Sequence, residues 1–314
     1  MTWHWTLSMV TILVLCIPTV ITHIIGIVFL FQVKHTNQIS IMINLSLSEL
    51  LYCMHLTVKC FVKLAVETYI WKNLITLRAF FMVVDMFSMF GNKLLMIYLV
   101  TDRFLAIHFS VKYDTYFQKD TVLKILACIW FSCGLYGLFS AVLVGTSFLS
   151  RNEMYSINNY VTLVLDLIFT VAAISIYIYL YHIVKRMRKR DISLGVKGAQ
   201  ICTFANFIIP SLMVASYLIF NVSSTILWQV WQSRIRNMNK CSQCPSIYLL
   251  AYSLGLIGFL IDGILYIFLQ KNVREFLITK FQNVRCMFNL NKDRIFPMRE
   301  STSKEKDTES ISGT

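Results

Sequence analysis

The residues best placed to do chemistry are charges set inside long apolar stretches. Glu49, Lys59, Asp85, Lys93, Asp166 and Asp262 each interrupt a run of hydrophobic residues, and Asp102 and Arg103 stand together near the end of another. A charge inside a membrane span is costly unless it faces a protein interior or a hydrated cavity and meets a partner. Such residues mark ligand contacts, ion paths or conformational switches. Asp262 and Asp166 are the acids within reach of Lys93 by sequence reading, together with Glu49. The facing of neighbouring helices favours Asp166. A Lys93 that met Glu49 instead would take the electrostatic role of a bound cation. No nucleophile–base set or metal-ligand cluster falls in any loop, so the sequence is not read as an enzyme. Cys241 and Cys244 form a C-x-x-C pair. With no second pair and no histidine beside them they do not read as a zinc site, and a local disulfide and two free thiols both stay open.

The elements that must position these charges follow from composition. The chain has 314 residues, 57% hydrophobic and 14% charged, against about 25% charged in soluble domains. A membrane-spanning helix needs about 20 apolar residues. Seven such runs occur, at 7–31, 39–66, 76–108, 121–149, 157–187, 197–228 and 246–270. The expectation is an all-α membrane protein of seven spans. No signal peptide is read, and the short stretch before the first run predicts no large outer ligand-binding domain.

The net charge of +13 does not point to nucleic acid, because of its placement. With the amino terminus outside, most of the 29 Lys and Arg fall in inner loops, inner helix ends and the tail, which is the positive-inside distribution. The densest group runs from Lys185 to Arg190. It suits anionic membrane lipid and, at the same time, a protein partner on the inner face.

The order of motifs adds a resemblance. Asp102-Arg103-Phe104 at the end of the third run, Asn44-Leu-Ser-Leu-Ser-Glu49-Leu in the second, Trp130 in the fourth and Asp262-Gly-Ile-Leu-Tyr266 in the seventh resemble, in order and spacing, the motifs of rhodopsin-like G protein-coupled receptors. The resemblance covers about residues 10–285. It implies a seven-transmembrane helix bundle over 1–285, with a short amphipathic eighth helix at about 271–284 and a disordered tail at 286–314. The apolar Phe276, Leu277 and Phe281 opposite basic residues suit a helix lying on the inner leaflet, and Cys286 is a candidate palmitoylation site.

The same resemblance implies a plasma-membrane receptor with an outer ligand and a heterotrimeric G protein as partner. Arrestin and a receptor kinase are implied at the Ser- and Thr-bearing tail. Asp102, Arg103, Asp262 and Tyr266 would form the activation switch. Glu49, Asn92, Lys93 and Asp262 would form a polar core, in which the family holds a sodium ion. Asp85 lies eighteen residues before Arg103, about 27 Å up the same helix face. There it resembles the ammonium-binding carboxylate of amine receptors, with Met89 and Tyr252 as further ligand contacts. The other reading of Asp85 pairs it with a basic neighbour such as Arg78. An amine, a peptide and a lipid stay open as ligands.

Several family features are absent. Arg78 stands where the family has the outer-loop cysteine seven residues after Trp71, and no cysteine occurs in 150–160. In this the chain resembles the melanocortin and lipid-receptor group. In the sixth run Phe204 and Pro210 keep part of the family pattern without its tryptophan, so Pro210 predicts a kink; a second register puts the pivot near Ala215. On the fifth run, Tyr179 or Tyr181 would meet Arg103 in the active state. Residues 246–269 contain no lysine, which sets aside a retinal-binding opsin. The rival from another class is a channel or transporter that uses Glu49, Lys93, Asp166 and Asp262 as an ion path, though no internal repeat supports it.

Overall fold

The computed structural model describes residues 3–32, 36–65, 75–109, 112–146, 151–193, 210–237 and 244–268. All of them belong to one compact unit, Met1–Arg274. Among the described residues the regular structure is entirely helical. Helix α1 is Trp3–Gln32, α2 Asn37–Ala65, α3 Ile75–His108, α4 Lys119–Gly145 and α5 Arg151–Ser193. Helix α6 starts at Pro210, passes through a π-helical stretch at Tyr217–Asn221 and continues as Val222–Asn237; α7 is Cys244–Phe268. A one-turn helix, Tyr113–Tyr116, lies between α3 and α4.

Seven helices are long and apolar enough to cross a membrane, and the chain is a multi-pass membrane protein. Apolar side chains make this form obligatory, because in hydrocarbon each backbone N–H and C=O must be satisfied within its own helix. Hydroxyls follow the same rule. Thr19, Thr57, Thr101, Ser140 and Thr170 each donate to the carbonyl four residues earlier, which hides a polar group inside an apolar helix.

Burial separates inner from outer helices. The apolar windows of α2 and α3 are each 56% buried, those of α4 and α5 only 22%. Helices α2 and α3 carry most of the buried charges, with Asp166 on α5 and Asp262 on α7, and α4 and α5 turn Phe131, Leu138, Phe139, Ile168 and Val171 outward. Helix α1 packs on α2 and α7, α2 on α3, α3 on α4 and α5, and α6 on α5 and α7. A core of Met9, Ile12, Cys16, Cys53, Leu56, Tyr252, Leu256 and Phe259 joins α1, α2 and α7.

The described part of the sixth span is Pro210–Ser233, which overlaps the expected 197–228. The expected kink residue, Pro210, is the first described residue of that span. A distortion within the described part is the Tyr217–Asn221 π stretch, close to the pivot of the second register. Asn221 has its Nδ2 buried. Phe204, Trp71, Cys241, the eighth helix at 271–284 and Cys286 lie outside the described residues.

Two close approaches require glycine. A Cβ on Gly137 of α4 would lie 3.1 Å from the Val83 carbonyl oxygen and 3.2 Å from Val83 Cγ1 of α3. A Cβ on Gly263 of α7 would lie 2.9 Å from Thr22 Oγ1 and 3.2 Å from Thr22 Cβ of α1. The missing Cβ at Gly263 lets α7 approach α1. Gly134, one turn before Gly137, has nothing within 4 Å of such a Cβ. Gly137→Leu is expected to destabilise the folded protein by about 1–3 kcal/mol through overpacking, while Gly134→Leu leaves it unchanged. Thermal unfolding of the two variants in detergent checks this, and equal effects would contradict the packing.

Candidate functional site

Helix α3 carries charged clusters at three levels. The one nearest its N-terminal end centres on Asp85, which is 5% exposed. Its Oδ2 accepts from Lys59 Nζ at 2.5 Å and from the Tyr155 hydroxyl at 3.0 Å. Its Oδ1 lies 2.7 Å from His55 Nε2. His55 and Lys59 are four residues apart on α2, so one helix face presents both to α3. This corrects the reading of Asp85 as an ammonium anchor. Both of its oxygens are already held by the protein's own groups, and Asp85 does not line the cleft described below. Lys59, His55 and Tyr155 were not singled out as its partners from sequence; the four-residue spacing of two basic residues on a buried helix face was the available signal.

The middle level is Lys93, 7% exposed. Its Nζ donates to Asp166 Oδ1 of α5 at 2.5 Å and contacts the Tyr217 oxygen of α6 at 3.3 Å. The Tyr217 hydroxyl donates to the same Asp166 oxygen at 2.8 Å. One lysine thus ties α3, α5 and α6 together, and Tyr217 sits in the first residue of the π stretch. The partner is Asp166, the one favoured from helix facing, so Lys93 does not replace a cation at Glu49.

Beside this level lie two acids in a different condition. Glu49 of α2 and Asp262 of α7 are 1% and 0% exposed, and they are close enough for their charges to interact. None of their four carboxylate oxygens has a well-formed hydrogen bond. Tyr266 adjoins Glu49, and Ser216 adjoins Asp262. His23 Nε2 lies 3.5 Å from Glu49 Oε2 but bonds the Phe259 carbonyl at 3.0 Å, while Nδ1 meets Ser46 Oγ at 2.9 Å. A carbonyl only accepts, so Nε2 carries the proton. Nδ1 can then accept from Ser46, and the ring is satisfied in its neutral form.

The level nearest the C-terminal end of α3 is Asp102 and Arg103. Arg103 Nε donates to Asp102 Oδ2 at 3.0 Å, Nη2 donates to the same oxygen, and Nη1 donates to Gln38 Oε1 at 2.9 Å. The Tyr113 hydroxyl donates to Asp102 Oδ1. Burial, then the Asp102 charge, pushes the Tyr113 hydroxyl above its ordinary pKa. Asn37 Nδ2 donates to the Phe117 carbonyl at 2.6 Å, which fastens the Tyr113–Tyr116 turn to the start of α2. Neither Tyr179 nor Tyr181 contacts Arg103. Tyr179 pairs with His108 Nδ1 at 3.0 Å, and the α5 tyrosine near enough to sense the Arg103 charge is Tyr177. Trp130 donates to Asn44 Oδ1 at 2.7 Å and stacks on Phe87, joining α4, α2 and α3.

A narrow cleft of about 50 Å³ lies between α2, α3, α6 and α7, well below the volume of a drug-sized ligand site. Glu49 and Tyr52 line it from α2, and Met89, Asn92 and Lys93 from α3; Tyr217, Asn221 and Trp228 face it from α6, and Tyr252 and Phe259 from α7. Met89 and Tyr252, expected as ligand contacts, are therefore in the cleft; Glu49, Asn92 and Lys93 join them there. Asp262 and Asp85 do not line it. Trp228, although inside the expected sixth run, was not singled out as a cleft residue. Its ring meets Trp231, Tyr248 and Tyr252 edge-on at 4.9, 5.6 and 5.0 Å, and the Trp228-Gln-Val-Trp231 spacing was the sequence signal. Among the described residues, no three or more His, Cys, Asp and Glu are grouped to hold a metal ion.

No protein-family model matches this chain, and no curated protein matches it.

Asp85→Asn is expected to cost about 3–5 kcal/mol, because it leaves the Lys59 charge buried without a counter-charge. Tyr155→Phe, which removes one of several donors, costs about 0.5–1.5 kcal/mol. Unfolding of both variants under one condition checks the ranking. An Asp85→Asn protein as stable as the parent would show that Lys59 does not depend on it.

Proposed function

We propose that the chain is a rhodopsin-like G protein-coupled receptor: a seven-helix bundle that takes a ligand in the cleft and passes the change to a heterotrimeric G protein. The observation that carries this reading is the layout of α3. Met89, Asn92 and Lys93 line the cleft, and three turns further along the same helix Asp102 and Arg103 are clasped by Tyr113 and Gln38. A stiff helix joins the two sites. Around it, the Lys93–Asp166–Tyr217 contact holds α6 at its π stretch, and π turns mark places where a helix can reshape.

In the resting form Asp102 engages Arg103. A ligand that binds better to a second packing of α3, α5 and α6 draws the population to that packing. The inner end of α6 then moves, and Arg103 is released toward the partner. The Lys185 to Arg190 cluster faces the cytoplasm by the positive-inside distribution, which puts the amino terminus outside. The plasma membrane is the location this reading requires. Arrestin and a receptor kinase would act on the tail after 285, and the protein is no enzyme in this account. The oxygen-only set of Glu49, Asp262 and the unpartnered Asn92 Oδ1 suits a hard cation. Those residues would hold a sodium ion that favours the resting packing.

Expression in cells with G protein activation and ion flux read in parallel tests the proposal. Tyr113→Phe removes a hydrogen bond to a charged acceptor, which is worth about 1.5–3 kcal/mol. It is expected to raise ligand-independent G protein activation several-fold, and Arg103→Ala to abolish it. Unchanged signalling in both variants, or an ion current with no G protein response, would contradict the reading.

A further inference from the structure

A tyrosine that the Asp102–Arg103 clasp does not use lies beside it. Tyr98 stands four residues before Asp102, one turn away on the same face of α3. It is 9% exposed, and its buried hydroxyl finds no hydrogen-bond partner among the described residues. The hydroxyl is close enough to Asp102 for the two groups to interact electrostatically. Buried polar groups are nearly always bonded, and one that is not calls for an explanation. Packing does not supply it. Phenylalanine would fill the same space with no polar atom to desolvate.

The explanation lies in what Asp102 loses when the clasp opens. At rest its carboxylate, 1% exposed, is fully served. Oδ2 accepts from Nε and Nη2 of Arg103, and Oδ1 accepts from the Tyr113 hydroxyl. Once Arg103 moves away, Oδ2 is a buried carboxylate oxygen without a donor. That condition is costly, and the cost falls on the second packing alone. The Asn37 amide, which adjoins Tyr113, is committed to the Phe117 carbonyl. A helical side chain leans over the turn that precedes its own Cα. A freed Asp102 carboxylate therefore leans toward the turn that carries Tyr98.

We propose that Tyr98 is a positioning residue of the switch, whose hydroxyl is unbonded at rest and donates to Asp102 when Arg103 leaves. Tyr113 and Tyr98 then act on one carboxylate with opposite sign. Tyr113 holds the clasp shut, and Tyr98 stabilises the packing in which it is open. This role deepens the receptor reading and rests on it.

The test compares the parent, Tyr113→Phe, Tyr98→Phe and the double variant, each as the full chain. Ligand-independent G protein activation is read in cells at matched surface expression, and the unfolding midpoint is read in detergent. Tyr98→Phe keeps the ring and removes a hydroxyl that is unbonded at rest. Its midpoint is expected to equal or exceed that of the parent. In cells the double variant is expected to be about tenfold less active than Tyr113→Phe, the effect of losing one hydrogen bond to a charged acceptor. A merely structural residue would lower the midpoint together with the activity.

A lowered midpoint for Tyr98→Phe would show that the hydroxyl is bonded at rest, and it overturns the proposal. A double variant as active as Tyr113→Phe overturns it too, and leaves the receptor reading standing. If neither the parent nor Tyr113→Phe activates a G protein, the receptor reading falls and the role of Tyr98 falls with it.

Discussion

A charge in the interior of a bilayer must find an opposite charge on a neighbouring helix, and the packing of this protein is arranged around that constraint. Lys93 has no water to retreat to. Its ammonium meets Asp166 across the gap between α3 and α5, and Tyr217 of α6 completes the contact. Lys59 and Asp85 do the same between α2 and α3. Buried pairs of this kind add little net stability over apolar residues of the same size. They do penalise every packing that separates them. Their effect is to specify which helices meet and at what depth, while Met, Leu, Ile and Phe supply the attraction.

Glu49 and Asp262 are the exception to that rule. They are buried as deeply as the paired charges but lie near each other rather than against a cation; Glu49 lines the cleft and Asp262 does not. The matched charges hold α2, α3, α5 and α6 in one arrangement. In the proposed receptor the unmatched acids would make that arrangement sensitive to what enters the cleft, and α3 runs from there to the Asp102–Arg103 clasp.

Much of this was legible in the residues. Seven apolar runs announce seven spans, because length and hydropathy are local properties. The neighbouring Asp102 and Arg103 announce a pair, because they need no knowledge of other helices. Lys93 could be matched to Asp166 since few acids were available. What stayed hidden depends on register between helices, which periodicity does not encode. Asp85 looked like a vacant anchor until α2 brought Lys59 and His55 to it. Tyr113, not singled out from the sequence, reaches Asp102 because the Asn37–Phe117 contact fastens its turn to α2. Trp228 lay within the expected sixth run, and only the packing of α6 against α7 marks it as a cleft residue.

The central claim is that Lys93 and Asp166 act as a pair in setting the structure. A double-mutant cycle of Lys93→Met, Asp166→Asn and the combined variant, followed by unfolding in detergent, measures their coupling directly. Each single change leaves one buried charge alone and should cost about 3–5 kcal/mol. The double variant should recover most of that loss, and additive losses in the double variant would contradict the account.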